Sequence, residues 1–568
     1  MTGFLHRQRQ TIVDGNGDPV RLRGAGLGNW WLPEGYMWRF GDAAASPRAI
    51  ERVIADLVGP DAADRFWRRY REEYVTEADV AAMAAEGWNS VRLPLNARYL
   101  MGEDGQFNED AFALVDRFLG WCRTHAIWVV VDLHGAPGGQ TGTNIDDSPN
   151  NYPELFTTAA HQDATVRLWR ELARRYRDET IVAGYDLLNE PLPRDFQYKY
   201  PNELVALYRR LIAEIRTIDP DHMIILEGSN WARNWSIFDE LWDDNLLLQF
   251  HKYWDSPDRD QLREYLAKRE ELDVPIYMGE GGENNNGWYA AAFQLLEDLD
   301  ISWNFWTWKK LAKRNSPATV REPAGWQSIV DYVFGGPRPD AGAAGRTLEE
   351  FLDNLALERC DYRHDVVNAV MRRAPLRWPA EYFGHLGQGN SYGVGTPGQP
   401  MPGFRESDLV TVRYRAEVAA EAGYAPAGPD EPNTFVPGAT PATAGPNFRH
   451  NLGQERASGE AMVVCLADGD WLSYEVNTVA AGALLVTVRT GPGGTGHVEP
   501  AVDGAQLRPV APAPGAEPDP GTGQRDTRFV TAAEVPAGRH TIIVRAAGGL
   551  VVLDHLDIAP AGGERSQA

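Results

Sequence analysis

The chain has 568 residues, 43% of them apolar, and a formal charge of −25. That length exceeds one ordinary domain and suits a large barrel with a smaller module attached. The negative charge argues against nucleic acid and anionic membrane surfaces as partners, and no apolar run of about 18 residues is present to span a membrane. The three cysteines, Cys122, Cys360 and Cys465, are isolated and lack metal-binding spacing. Met1 to Gln10 carries charges without an apolar stretch, which reads as a cytoplasmic chain; a secreted chain stripped of its leader would read the same.

Thr11 to Val20 reads as a hairpin tip, its Asp14-Gly15-Asn16-Gly17 cluster supplying the turn. Eight strand-like runs follow: Val20–Gly28, Ser90–Leu95, Trp128–Gly135, Ile181–Glu190, Met223–Gly228, Leu246–Tyr253, Pro275–Glu280 and Ile301–Trp308. Between them lie helical patterns, among them Glu77–Glu86, Glu109–His125, Gln162–Arg177, Glu203–Ile218, Asp258–Glu271 and Trp288–Asp298. Alternating strands and helices imply a parallel sheet, and eight such units suit a (β/α)8 barrel. The runner-up is an open doubly wound sheet. Gly24-Ala25-Gly26-Leu27-Gly28 lacks the spacing of its phosphate turn, and no helix start follows.

Two connections read as long loops: Asn29 to about Thr76, with Trp30, Trp31, Tyr36 and Trp38, and Gly135 to about Ala160. The barrel domain is expected over 1–375, with a Gly/Pro-rich linker over 376–408. Short β-branched runs between Pro/Gly turns then predict an all-β jelly roll or sandwich over 409–560, interrupted by a loop from Ala511 to Gly523. Residues 561–568 read as a tail.

The chemistry gathers at the strand ends. Arg92, His134, Asn189-Glu190, His251 and Tyr253, Glu280, and Trp306 all lie at the C-terminal ends of their runs, which a barrel brings to one pocket. Singly, each has a bland reading as a polar group reaching solvent or satisfying a carbonyl. Together they would require the same departure from an apolar pattern on several strands. Glu190 and Glu280 are paired carboxylates on opposite sides of the barrel, which suits glycosidic cleavage: one acid protonates the leaving oxygen, and the other attacks or activates water. Arg92 would pair with Glu280, Asn189 would bond a sugar hydroxyl, His251 and Tyr253 would orient the glutamates, and Trp306 would lie under the sugar ring. Asp132 and His134 alone are weak evidence for a metal.

These motifs, Asn189-Glu190-Pro191, Gly279-Glu280-Gly281, His251-x-Tyr253, Val91-Arg92-Leu93-Pro94 and Asp132-Leu133-His134, resemble glycoside hydrolase family 5, a (β/α)8 clan of retaining enzymes. The resemblance covers about residues 10–375. It implies Glu190 as acid/base, Glu280 as nucleophile, and a first subsite of Arg92, His134, Asn189, His251, Tyr253 and Trp306, with no cofactor for catalysis. Trp30 on the first long loop joins the substrate-binding set. Glu283 is a rival nucleophile and Trp308 a rival platform. His134 to Gln140 is similar to the loop of exo-β-1,3-glucanase and diglycosidase-like branches, whereas Thr141 to Asp147 departs from the fungal exo-glucanase form. The C-terminal module resembles the jelly-roll carbohydrate-binding modules of families 6 and 35. That likeness implies a structural calcium, with Glu417 and Asp554 as its ligands.

The sequence therefore predicts a retaining, exo-acting glycosidase with a carbohydrate or glycoside substrate. That substrate is a β-glycoside or the stereochemically related α-L-arabinofuranoside or β-D-galactofuranoside. The alternatives are a carbohydrate-binding protein on an inactive barrel, a metal-dependent hydrolase using His134, His251 and a carboxylate, and a transglycosylase sharing the same intermediate.

Overall fold

A computed structural model describes residues 3–399, 401–415, 446, 448, 462–510 and 523–562. By contact density the chain divides into two units. The first comprises Met1–His251, Tyr265–Gly281 and Ile301–Arg363; the second comprises Lys252–Glu264, Gly282–Asp300 and His364–Ala568.

The first unit is built on a closed barrel of eight strands: β1 (Arg23–Gly26), β2 (Ser90–Asn96), β3 (Trp128–Gly135), β4 (Val182–Asp186), β5 (Met223–Glu227), β6 (Leu246–Lys252), β7 (Ile276–Gly282) and β8 (Ser302–Trp306). They pair in chain order, and β8 closes on β1 in parallel register, Phe305 opposite Ala25. Every residue of β2, β4, β5, β6 and β7 is buried, as expected where helices cover a parallel sheet. Leu5, Ile12 and Leu22 join Val130, Ala183, Ile225, Leu247 and Tyr277 in one apolar core. The hairpin that supplies Leu5 and Ile12 pairs His6–Gln8 with Thr11–Val13, and the expected turn at Asp14–Gly17 then folds the chain back, with Val13 bridging Pro19 and the Val20 N–H donating to the Ile12 carbonyl at 2.8 Å.

The strands are shorter than their sequence patterns at β1, β4 and β8. At β4 the ladder stops at Asp186, and the chain turns through Glu190 at φ 43° and Leu192 at φ 55°. Pro191, which offers no N–H to a sheet, sits between them. The segment expected as a loop from Asn29 to Thr76 instead holds two α-helices, Pro47–Val58 and Pro60–Glu73, each with proline in its first turn. They bury Ile50 and Ile54, and their Phe66, Trp67 and Tyr70 pack against Trp38.

In the second unit two antiparallel sheets form a β-sandwich. Five of the strands in one run in the order Thr411–Tyr414, Met462–Leu466, Val551–Pro560, Leu484–Thr490, Arg525–Val530. The other is centred on Trp471–Thr478 and Gly538–Ala547. The expected linker is not one. Leu376–Pro379 is a strand paired with Val551–Pro560, and Tyr392–Gly393 pairs with Trp471–Thr478. Trp378, Phe383 and Tyr392 are buried there, so apolar anchors hold a stretch whose glycines and prolines read as flexible. The helix Asn286–Asp298, which follows β7 in sequence, also belongs to this unit; Arg372 reaches its Glu297 at 2.6 Å and its Phe293 carbonyl at 3.2 Å.

Candidate active site

At the C-terminal ends of the barrel strands a single guanidinium organises the site. Arg92, from the middle of β2, has no exposed surface and meets Asp132 at 3.2 Å, Asp186 at 2.8 Å, Glu227 at 3.0 Å and the Asn189 amide oxygen at 2.9 Å; it also pairs with Glu280. A buried cation of this kind is tolerated only where carboxylates surround it.

Glu190 and Glu280 come together. Each, with His251, offers an atom within 4.8 Å of the other two, and the glutamates retain only 8% and 3% exposure. His251 Nδ1 lies 2.6 Å from Glu190 and 3.5 Å from Glu280, while its Nε2 lies 3.3 Å from Glu227. Burial alone would lower the His251 pKa, but the charges of Glu227 and Glu280 and the hydrogen bond to Glu190 push it well above its ordinary value. Its neighbours therefore favour the charged form of His251. Among the described residues, Glu190, His251 and Glu280 are the group whose ligand atoms lie close enough together to hold a metal ion.

His134, on β3, behaves oppositely. Burial pushes its pKa down to about 3, and its Nδ1 is 2.7 Å from Asp132, whose own pKa burial raises well above the carboxylate range. The neutral imidazole stacks against Trp306, with centroids 5.4 Å apart and planes at 6°, and its Nε2 is 3.4 Å from the Asn189 amide. Gln140 ties the two strand ends, donating to the carbonyls of His134 and Asn189 at 2.7 and 3.0 Å. Gly28 is required beneath the Trp306 ring, where a Cβ would come within 2.5 Å of it.

Of the loop aromatics, Tyr36 is the one that hydrogen-bonds Trp306, its hydroxyl accepting from Nε1 at 3.1 Å. Trp30, expected to bind substrate, is 1% exposed, packs on Phe118 and donates to the Arg71 carbonyl. Trp308, the rival platform, is equally buried and donates to Asp79 at 2.9 Å. Both indoles are packing groups with their N–H already used. Tyr253 and Glu283 lie in the second unit. Tyr253 packs on Trp254, and its carbonyl accepts from Asn284; the Glu283 carbonyl accepts from Trp254 at 3.3 Å. Glu417 lies outside the described residues. Asp554 lines a cavity of about 620 Å³ in the second unit with Arg415, Arg489 and His555, and is 3.8 Å from Arg415.

Three buried groups of the site were not picked out from sequence: Asp186, Glu227 and Gln249. Glu227 ends β5 as Glu190 and Glu280 end their stretches, so the same strand-end reading would have found it. Gln249 stands two residues before His251, on the same face of β6, and donates to Asp186 at 2.9 Å and to Glu227.

Two glutamates brought together at the mouth of a (β/α)8 barrel, beside a buried arginine, define a glycosidase-type site. Residues 59–311 match the model of the cellulase family, glycosyl hydrolase family 5. A beta-xylosidase of Phanerodontia chrysosporium is 31% identical over 347 residues, 54% of this chain and 71% of that protein. A probable glucan 1,3-beta-glucosidase A of Emericella nidulans is 27% identical over 238 residues, 41% of this chain and 57% of that one. Among solved structures, an endogalactoceramidase is similar over 97% of this chain and 99% of that chain, with 15% identity and a TM-score of 0.46. The chain belongs to glycoside hydrolase family 5. It is an O-glycoside hydrolase, and its substrate is a carbohydrate.

Proposed function

We propose that the protein is a retaining, exo-acting glycosidase that removes a terminal sugar from a β-glycoside, with Glu280 as nucleophile and Glu190 as acid/base. The observation that carries this reading is the spacing of the two carboxyl groups, which offer atoms within 4.8 Å of each other. Inverting enzymes hold theirs about 6.5–9.5 Å apart to admit a water; retaining ones hold them at about 5–5.5 Å.

In the first step the Glu280 carboxylate attacks the anomeric carbon as Glu190 gives its proton to the leaving oxygen. In the second, Glu190 takes a proton from water, and the C–O bond to Glu280 breaks. The charges of the site suit this cycle. Burial raises the pKa of Asp132 and of Asp186, which favours their neutral forms. Arg92 and His251 then balance Glu227 and Glu280 when Glu190 carries the proton that it is to donate. Near-complete burial of both glutamates favours a closed pocket over an open cleft. The names of the two curated relatives favour a β-xyloside or β-glucoside. We further propose that the β-sandwich is a carbohydrate-binding module.

The test is turnover of a panel of aryl glycosides, pyranosides and furanosides, with the first-formed product followed by proton NMR. One sugar should be cleaved, and its first product should keep the substrate's anomeric configuration. An inverted first product would refute the mechanism. Preferential cleavage of an α-L-arabinofuranoside or β-D-galactofuranoside would move the substrate to that class.

A further inference from the structure

Glu227 is a third glutamate at the mouth, fully buried at the end of β5, and the mechanism above gives it no step. Its two oxygens serve different partners. Oε2 accepts the backbone N–H of Glu190 at 2.7 Å. Oε1 meets Arg92 Nη2 at 3.0 Å and His251 Nε2 at 3.3 Å, and accepts from Gln249. The other nitrogen of His251 lies 2.6 Å from Glu190 Oε1. The contacts close a ring: Glu227 to the Glu190 backbone, the Glu190 side chain to His251, and His251 back to Glu227.

Two features need that ring. Glu190 has φ 43°, in the left-handed region that a residue with a side chain rarely adopts, so its backbone must be held from outside. Glu227 Oε2 supplies such a hold. A neutral amide at position 227 could still accept from the Glu190 backbone. It could not hold the positive charge on His251.

We propose that Glu227 is a positioning residue of the acid/base arm: it fixes Glu190 through the backbone N–H and holds His251 as a charged donor to the Glu190 carboxylate. This rests on the reading of Glu190 as acid/base. When Glu190 gives its proton to the leaving oxygen, the bond from that oxygen to the anomeric carbon breaks and the bond to Glu280 forms. The new Glu190 carboxylate is then met by the His251 N–H. His251 gains and loses no proton; its charge, held by Glu227, makes the donation of the Glu190 proton easier. Leaving groups that need that proton depend on Glu227, and those that leave as stable anions do not.

The experiment compares wild type, Glu227→Gln and Glu190→Ala on 2,4-dinitrophenyl and 4-methoxyphenyl glycosides of β-D-xylose and β-D-glucose. For Glu227→Gln, kcat/KM should fall at least about 50-fold on the 4-methoxyphenyl substrate and less than about threefold on the dinitrophenyl one. Azide should raise its turnover and give a glycosyl azide of unchanged anomeric configuration. His251→Gln cuts the same link from the other side and should show the same selective loss. Equal losses on both leaving groups in both Gln variants, or no loss in Glu227→Gln, would overturn the proposal. Glu190→Ala separates the two claims. If it shows the leaving-group dependence and Glu227→Gln does not, the role of Glu227 alone fails; if Glu190→Ala lacks it, the acid/base reading fails first.

Discussion

Asp132 with His134 on β3, and Glu227 with His251 on β5 and β6, are two acid–imidazole pairs at one barrel mouth, none of the four residues more than 3% exposed. They carry opposite charge states. On the β3 side burial prevails: it lowers the His134 pKa to about 3 and raises that of Asp132, which favours the neutral form of both. On the β5–β6 side burial opposes charge equally, but the neighbours outweigh it. Glu227, Glu280 and Glu190 hold His251 as a cation, and His251 and Arg92 hold Glu227 below the usual carboxylate range. Burial alone therefore does not decide ionisation; the ionised groups within hydrogen-bonding reach do. The neutral side, stacked on Trp306, is suited to holding a sugar, and the charged side to moving a proton.

Substitutions should divide along that line. Glu280→Ala removes the attacking group and should lower kcat by about 10⁴-fold or more; a loss below tenfold would place the nucleophile elsewhere. Arg92→Met strips the cation shared by both sides and should cost about 3–5 kcal/mol in denaturant unfolding, and a cost under about 1 kcal/mol would show that its carboxylates are not charged as described.

The pH response follows from two shifts of opposite sign. The His251 value is raised above its ordinary 6.5, so its contribution to stability is complete below that pH and is lost as pH rises through the folded value. The Glu227 value is lowered from 4.5, so its contribution is present above that pH and is lost as pH falls through the folded value. The stability gap between wild type and His251→Gln should therefore narrow from about pH 6 into the alkaline range. A gap that stays constant would mean that His251 is neutral throughout. The smallest effect belongs to the neutral side. Asp132→Asn replaces a protonated acid by another neutral group and should change kcat/KM by less than about fivefold, or ~1 kcal/mol. A large loss would show Asp132 to be ionised.

Much of this was legible in the sequence. Alternating apolar runs and helical patterns gave the barrel, and polar residues breaking those runs marked Arg92, His134, Glu190, His251 and Glu280. Glu227 carries the same signal after Met223-Ile224-Ile225-Leu226. The helices at Pro47 and Pro60 were announced by Ser46-Pro47 and Gly59-Pro60, and were obscured by the aromatics before them, which invited a ligand-binding reading. Trp30 and Trp308 look no different in sequence from Trp306; only packing shows which indole faces His134. Leu376-Arg377-Trp378-Pro379 is too short to stand out among its prolines and glycines, since its strand exists by pairing with Val551–Pro560, distant in sequence.

Which carboxylate carries the sugar is read most directly by trapping. The wild-type protein would be treated with the 2-deoxy-2-fluoro dinitrophenyl glycoside of the sugar that it cleaves, digested, and mapped by mass spectrometry. A stoichiometric fluoroglycosyl ester on Glu280 is the predicted result. A label on Glu283 or Glu190 would contradict the assignment of the nucleophile, and an unlabelled protein with an inverted product would contradict double displacement itself.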